Sequence, residues 1–305
     1  MQKIVRFISA SIMVLFCQSA LAVDIQHELG STRIDTPPQR IVVLEFSFID
    51  ALAAVGIAPV GIADDKKRDR VIPAYTNIIG DEWVSVGTRK TPSLEIIASL
   101  QPDLIIADKK RHAAAYDSLS QIAPTIVLDS LGGDYHAAVA QMTVIGEAVG
   151  KSAAMARRVA EHKARMADFI DQISNISDKY SAQFGVANAN GLWLHSPLSY
   201  NGSLLKMFGF KSNMENKEGS LYEKVYVGTN LEQLSQINPD ILLVGEYTDP
   251  SYVDGLAGEA LYKDLAAVRN QRLFNVTAHN WSRLRGMLAA ELTAEELLAT
   301  LQQLN

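Results

Sequence analysis

Apolar positions along the chain follow two rhythms. Over 40–44 they form a continuous β-rich run; over 47–55 they return at Phe48, Leu52 and Val55, the spacing of one helical face, with Gly56 placed to end it. A second apolar strand follows at 59–63, then a helix over 93–100, a strand over 103–107, a helix over 113–122 and a strand over 125–128. Strands and helices alternating at these lengths predict an α/β fold, a mostly parallel sheet with helices on its faces.

The stretch 152–173 contains neither Gly nor Pro, and Met155, Val159, Met166, Phe169, Ile170 and Ile173 fall on one side of a helix. At 1.5 Å per residue it is about 33 Å long, enough to join two domains. An ordinary surface helix of one domain is the competing account, and an internal repeat decides between them. Leu94, Glu95, Pro102 and Asp103 recur without a gap as Leu231, Glu232, Pro239 and Asp240. In each copy a helix with a buried stripe (Leu94, Ile97 and Leu100; Leu231, Leu234 and Ile237) ends at a Pro-Asp turn into a buried strand. The expected organisation is two similar lobes, 23–150 and 176–305, joined by one long rigid helix over 151–175.

The N-terminus has the form of a secretory leader: Lys3 and Arg6, an apolar run over 7–16, then Ala20-Leu21-Ala22 before Val23. The run is too short for a membrane anchor, which needs about 20 apolar residues. Phe16 before Cys17 disfavours lipid attachment, so cleavage is expected after Ala22, leaving a mature chain without cysteine and therefore without disulfides. Loss of Lys3 and Arg6 moves the formal charge from -6 to -8, because 26 basic residues then face 34 acidic ones. Nucleic acid is a poor partner for such a surface, and an anionic cargo has to be met by a local cluster of cations.

Catalytic signatures are thin. Gly146 to Ser152 imitates a phosphate loop but has three residues between its glycines where four are required, and lies on helical spacing. No zincin or nucleophile-elbow motif occurs, and the six histidines are scattered, so no enzyme activity and no protein-made metal site are expected. Instead, Arg89, Arg111, Trp281, Arg283 and Arg285 fall in predicted loops of both halves, Arg111 just past the carboxyl end of a strand, where ligands of open α/β sheets sit. Guanidinium groups hold carboxylates bidentately, which lysine cannot do.

The run Arg40 to Val55, then Pro59 to Asp65, Val86-Gly-Thr-Arg89, Pro102-Asp-Leu-Ile-Ile-Ala-Asp108, Arg111-His112 and Trp281-Ser-Arg-Leu-Arg-Gly286 closely resemble the binding proteins for siderophores and cobalamin, in particular their ferric-dicitrate-binding branch. The resemblance is weak only over about 210–226. It implies a periplasmic, monomeric solute-binding protein of an ABC importer, with ferric citrate as ligand and no cofactor, the iron being held by the chelator. Arg89 is the first cargo contact it implies, followed by Arg111, Arg283 and Arg285, with Trp281, Tyr116 and His195 as wall positions. Glu95 and Glu232 map onto the glutamates that meet the inner-membrane permease. Another anionic ferric siderophore is the alternative cargo, and an exported hydrolase the alternative of a different class.

Overall fold

The structure, a computed structural model, describes residues 22–215 and 218–304. The expected leader, apart from Ala22, lies outside them. None of the described helices is long and apolar enough to cross a membrane. The strands are β1 (Val23–His27), β2 (Gly30–Ile34), β3 (Ile41–Val43), β4 (Gly61–Ile62), β5 (Val84–Ser85), β6 (Leu104–Asp108), β7 (Thr125–Leu128), β8 (Ala182–Asn188), β9 (Gly191–His195), β10 (Tyr226–Thr229), β11 (Ile241–Glu246) and β12 (Leu273–Val276).

They form two five-stranded sheets of like order, β5-β4-β3-β6-β7 and β10-β9-β8-β11-β12, with β1-β2 as a separate hairpin. Strand by strand the orders correspond, β3 to β8 and β6 to β11. The first sheet is parallel throughout. In the second, β9 runs against both β8 and β10. The cause is local. β3 reaches β4 through the helix Phe46–Ala54, whereas Asn188 pairs with Gly191 across a two-residue turn, which only antiparallel strands can share.

The duplicated segment occupies equivalent places. Its helices, Leu94–Ser99 and Leu231–Ile237, are N-capped by Ser93 and Asn230, whose side chains accept from the N–H of Ile96 and Gln233. They lead into β6 and β11, the fourth strand of each sheet. The Asp of each Pro-Asp turn does the same work twice. Asp103 accepts from the N–H groups of Gln39 and Arg40, both at 2.7 Å, just ahead of β3. Asp240 accepts from the N–H and hydroxyl of Ser181, at 2.9 and 2.8 Å, just ahead of β8. Each carboxylate thereby satisfies donors at the start of the neighbouring strand that no ladder reaches.

The helix Ser152–Ser177 spans 26 residues, beginning one residue after the expected 151 and ending two beyond the expected 175. Met155, Met166, Phe169 and Ile173 are buried as their spacing predicts, while Val159 and Ile170 are only half-buried. His162 is buried on the same helix. Its Nδ1 lies 2.7 Å from Glu291 of the C-terminal helix Met287–Leu301, its Nε2 lies 2.8 Å from the Tyr135 hydroxyl, and Arg158 donates to Glu291 at 2.7 Å. This network pins the long helix to both of its neighbours. The false phosphate loop is structural: a Cβ on Gly146 would stand 2.5 Å from Cβ of Met155, so glycine permits the two helices to approach.

One contact joins the halves at the base of the cleft. Asp50, fully buried on Phe46–Ala54, accepts from the N–H groups of Met287, Leu288 and Ala289 at 2.8, 3.2 and 2.8 Å, capping the C-terminal helix from the other lobe. The Tyr75 hydroxyl donates to it at 3.0 Å. Burial raises the Asp50 carboxyl to about 6, these hydrogen bonds offsetting only part of the effect. A folded value above the unfolded one means that the folded state binds the proton more tightly.

Two outcomes are expected. Asp103→Ala and Asp240→Ala each lower the unfolding free energy by about 2–3 kcal/mol in urea denaturation, because two strand donors lose their acceptor. The stability difference between wild type and Asp50→Asn shifts in favour of wild type by up to about 3 kcal/mol as pH falls from 6 to 4, since wild type gains a proton on folding in that window. A pH-independent difference would rule out the raised carboxyl.

Candidate ligand-binding cleft

Past the carboxyl ends of four strands of the parallel sheet of the N-terminal lobe stand four charged side chains, three in loops and Arg111 on the short helix Lys109–His112. Glu45 follows β3, Asp65 follows β4, Arg89 follows β5 and Arg111 follows β6. Asp65 stands in a tight turn at φ +62°, fixed by the Asp64 side chain accepting from the Lys66 N–H at 2.9 Å. Its carboxylate accepts from Arg89 Nη2 at 2.9 Å, Arg89 Nε at 3.1 Å and Arg70 Nη1 at 2.6 Å. Burial works to raise the Asp65 carboxyl, but the two arginines override it and hold the group down at about 2.

Glu45 is almost wholly buried and shared. One oxygen takes Arg89 Nη1 at 3.2 Å; the other meets Arg111 Nε in a close ionic contact whose angle is not that of a hydrogen bond. Arg89 also lies over the Phe46 ring, 4.4 Å from its centroid. Behind it His112 accepts from the Asp108 N–H at 2.9 Å through Nδ1, so the proton on Nε2 donates to the Arg89 carbonyl at 2.7 Å. Burial holds His112 below the usual imidazole range, which keeps that neutral tautomer in place.

From the opposite lobe come Tyr247 after β11 and Arg283 and Arg285 after β12. The Arg283 guanidinium lies 4.1 Å from the Tyr247 ring centroid. Burial depresses its pKa, as do neighbouring Arg70 and Arg89 across the cleft. Arg285 is 4 % exposed; its Nη2 donates to the Tyr226 hydroxyl at 2.8 Å, and that hydroxyl donates to the Leu131 carbonyl of the first lobe at 3.1 Å. On the other edge His279 Nε2 lies 2.9 Å from the Arg70 carbonyl. Among the described residues neither Arg283 nor Arg285 has a carboxylate partner. A hollow of about 560 Å³ opens between the segments around Leu131 and Val225, with Lys110, Lys224, Asp129 and Asp134 in its lining.

The structure therefore brings together Arg89, Arg111, Arg283 and Arg285, and places the three expected wall positions away from them or behind them. Trp281 has no exposed surface. Its ring packs on Phe184 in the core and its Nε1 donates to Glu296 at 2.8 Å, because the helix Ala278–Arg283 turns this residue inward. Tyr116 is half-buried against the β1-β2 hairpin, its hydroxyl 3.5 Å from His27 Nε2, and its ring and hydrogen-bond partner is His27, not one of the four arginines. His195 sits on reversed β9, edge-on to Phe184 and Tyr226, and burial, aided by Arg285, lowers it to about 3, so it backs Tyr226 as a neutral ring.

Arg89, first in the sequence ranking, already has each of its three guanidinium nitrogens bonded to Asp65 or Glu45. Sequence reading missed Glu45, Asp65, Arg70, Tyr226 and Tyr247. A lone acid closing an apolar strand was the available signal for Glu45; nothing local marks the two tyrosines. Glu95 and Glu232 stand at the second residue of their helices, both exposed and both favoured there by the helix dipole. Among the described residues no group of three or more His, Cys, Asp or Glu could hold a metal ion.

Comparison with known proteins agrees with this architecture. The periplasmic binding protein family matches residues 41–279. The Fe(3+) dicitrate-binding periplasmic protein of Escherichia coli is 38% identical over 296 residues, covering 97% of this chain and 95% of that protein. The Fe(3+)-citrate-binding protein of Bacillus subtilis is 39% identical over 274 residues, 90% of this chain and 84% of that one. Among solved structures, Staphylococcus aureus SirA complexed with staphyloferrin B superposes with a TM-score of 0.78 at 23% identity, over 92% of this chain and 98% of that one, which speaks for the fold alone. With two like sheets, a long connecting helix and a cleft of converging loops, the chain belongs to the periplasmic binding protein family.

Proposed function

We propose that this protein captures ferric citrate in the periplasm and delivers it to the inner-membrane permease of an ABC importer, as a monomer whose leader is removed after Ala22. The observation that carries the cargo reading is Arg285, a guanidinium buried in the cleft with no carboxylate partner among the described residues. Glu45 and Asp108 favour its charged form only from a distance, so the guanidinium has no carboxylate in direct contact, and an anion entering the cleft supplies one. Arg283 and the remaining donors of Arg111 complete the anionic recognition. The cargo class follows the two relatives named above, both named for ferric citrate binding.

On this reading citrate oxygens hold the iron and the arginines neutralise the surplus carboxylate charge, with no protein atom on the metal. Arg89 acts within the protein's own lattice: through Glu45 it fixes the position of Arg111. The lobes extend over 23–150 and 176–305 on either side of the long helix, and Glu95 and Glu232, on equivalent helices of the two, are the permease contacts.

Calorimetric titration of the wild-type protein with ferric citrate is expected to give saturable heat, and Arg285→Ala to weaken binding about 10- to 100-fold, the loss of one or two charge-assisted hydrogen bonds. No heat from ferric citrate, with saturable heat from a different anionic ferric chelate, would transfer the reading to that cargo. For the docking residues, Glu95→Lys with Glu232→Lys is expected to cut iron uptake by cells at least about tenfold while ligand affinity stays within about twofold, because the charges lie outside the cleft. Normal uptake would sink the docking assignment.

A further inference from the structure

We infer that Asp50 is a positioning residue for the cleft arginines: from the N-terminal lobe it anchors the segment that carries Arg283 and Arg285. Its two carboxylate oxygens hold three successive N–H groups, those of Met287, Leu288 and Ala289, so the C-terminal helix begins at a point fixed by the other lobe. Gly286, between Arg285 and that helix, adopts φ +130°, and a Cβ there would lie 2.3 Å from Cγ of Asp50. Only glycine combines that backbone conformation with that approach. The Tyr200 hydroxyl closes the turn from the C-terminal lobe, donating to the Gly286 carbonyl at 2.7 Å and accepting from its N–H at 3.3 Å.

Four pieces of the chain thus meet at one buried point: the helices of Asp50, Tyr75 and Tyr200, and the turn that leaves Arg285 one residue away. The Arg285 side chain gains only neutral partners, the Tyr226 hydroxyl and the carbonyls of Ser282 and Arg283. No ion pair holds it in the cleft, so its place is set by the backbone beneath it. That backbone is held by Asp50. The same residue lies on the helix that begins at Phe46, directly after Glu45, the counter-ion of Arg89 and Arg111. One short helix therefore relates the arginines of one lobe to those of the other.

The inference rests on the cargo reading for its binding test and on none for its second. Ferric citrate affinity is measured for Asp50→Asn and Asp50→Ala, in wild type and in Arg285→Ala, well below each variant's unfolding temperature. Asp50→Ala is expected to weaken binding about tenfold or more and Asp50→Asn, which keeps one cap acceptor, by less than about threefold. In the Arg285→Ala background both effects are expected to shrink to the part carried by Arg283, as they must if Asp50 acts through the segment that bears the two arginines. Equal losses in both backgrounds would overturn the inference. Should Asp50→Ala not fold, Asp50→Asn carries the cycle alone. Should wild type not bind ferric citrate, the cargo reading fails and a ligand-free measurement decides: the Arg285 Nε–H resonance is expected to be displaced in Asp50→Asn and in Tyr200→Phe, and an unchanged resonance in both overturns the positioning role.

Discussion

Like charges crowded into a partly dry cleft repel, and this fold is arranged around holding five guanidinium groups there. Arg70, Arg89 and Arg111 are paired within their own lobe with Asp65 and Glu45, three cations to two carboxylates. Arg283 and Arg285 are not; a tyrosine ring, a tyrosine hydroxyl and backbone carbonyls keep them in place. The asymmetry divides the labour between lobes. One contributes a lattice of arginines cross-linked by its own carboxylates, and the other contributes arginines held by neutral partners.

That division explains which parts of the site the sequence made legible. Arg111, Arg283 and Arg285 stood out because cations on sheet-end loops of an acidic protein call for a reason. The carboxylates that pair with Arg89 and Arg111 did not, because Glu45 and Asp65 are ordinary residues until β3 and β4 are known to be neighbours in one sheet. Trp281 misled for a related reason. An indole beside two arginines suggests a ligand wall, but which side of a six-residue helix faces the cleft depends on where Phe184 and Glu296 lie, and no local spacing encodes that.

The fold was more open to reading. The Leu, Ile and Pro-Asp pattern of the repeat gave both helix-turn-strand units, and the absence of Gly and Pro gave the long helix, since these signals are local and periodic. The reversed β9 escaped because one tight turn, Asn188 to Gly191, outweighs the analogy with the first lobe. His162 escaped because a histidine on the buried side of a helix becomes intelligible only with Glu291 and Tyr135 against it.

The paired clamps of Asp103 and Asp240 have a mechanical consequence. Each ties the turn after a surface helix to the first residues of a central strand, so the helix that bears Glu95 and the helix that bears Glu232 are extensions of their sheets. The spacing of those two outward carboxylates is then a gauge of how the two sheets stand to one another.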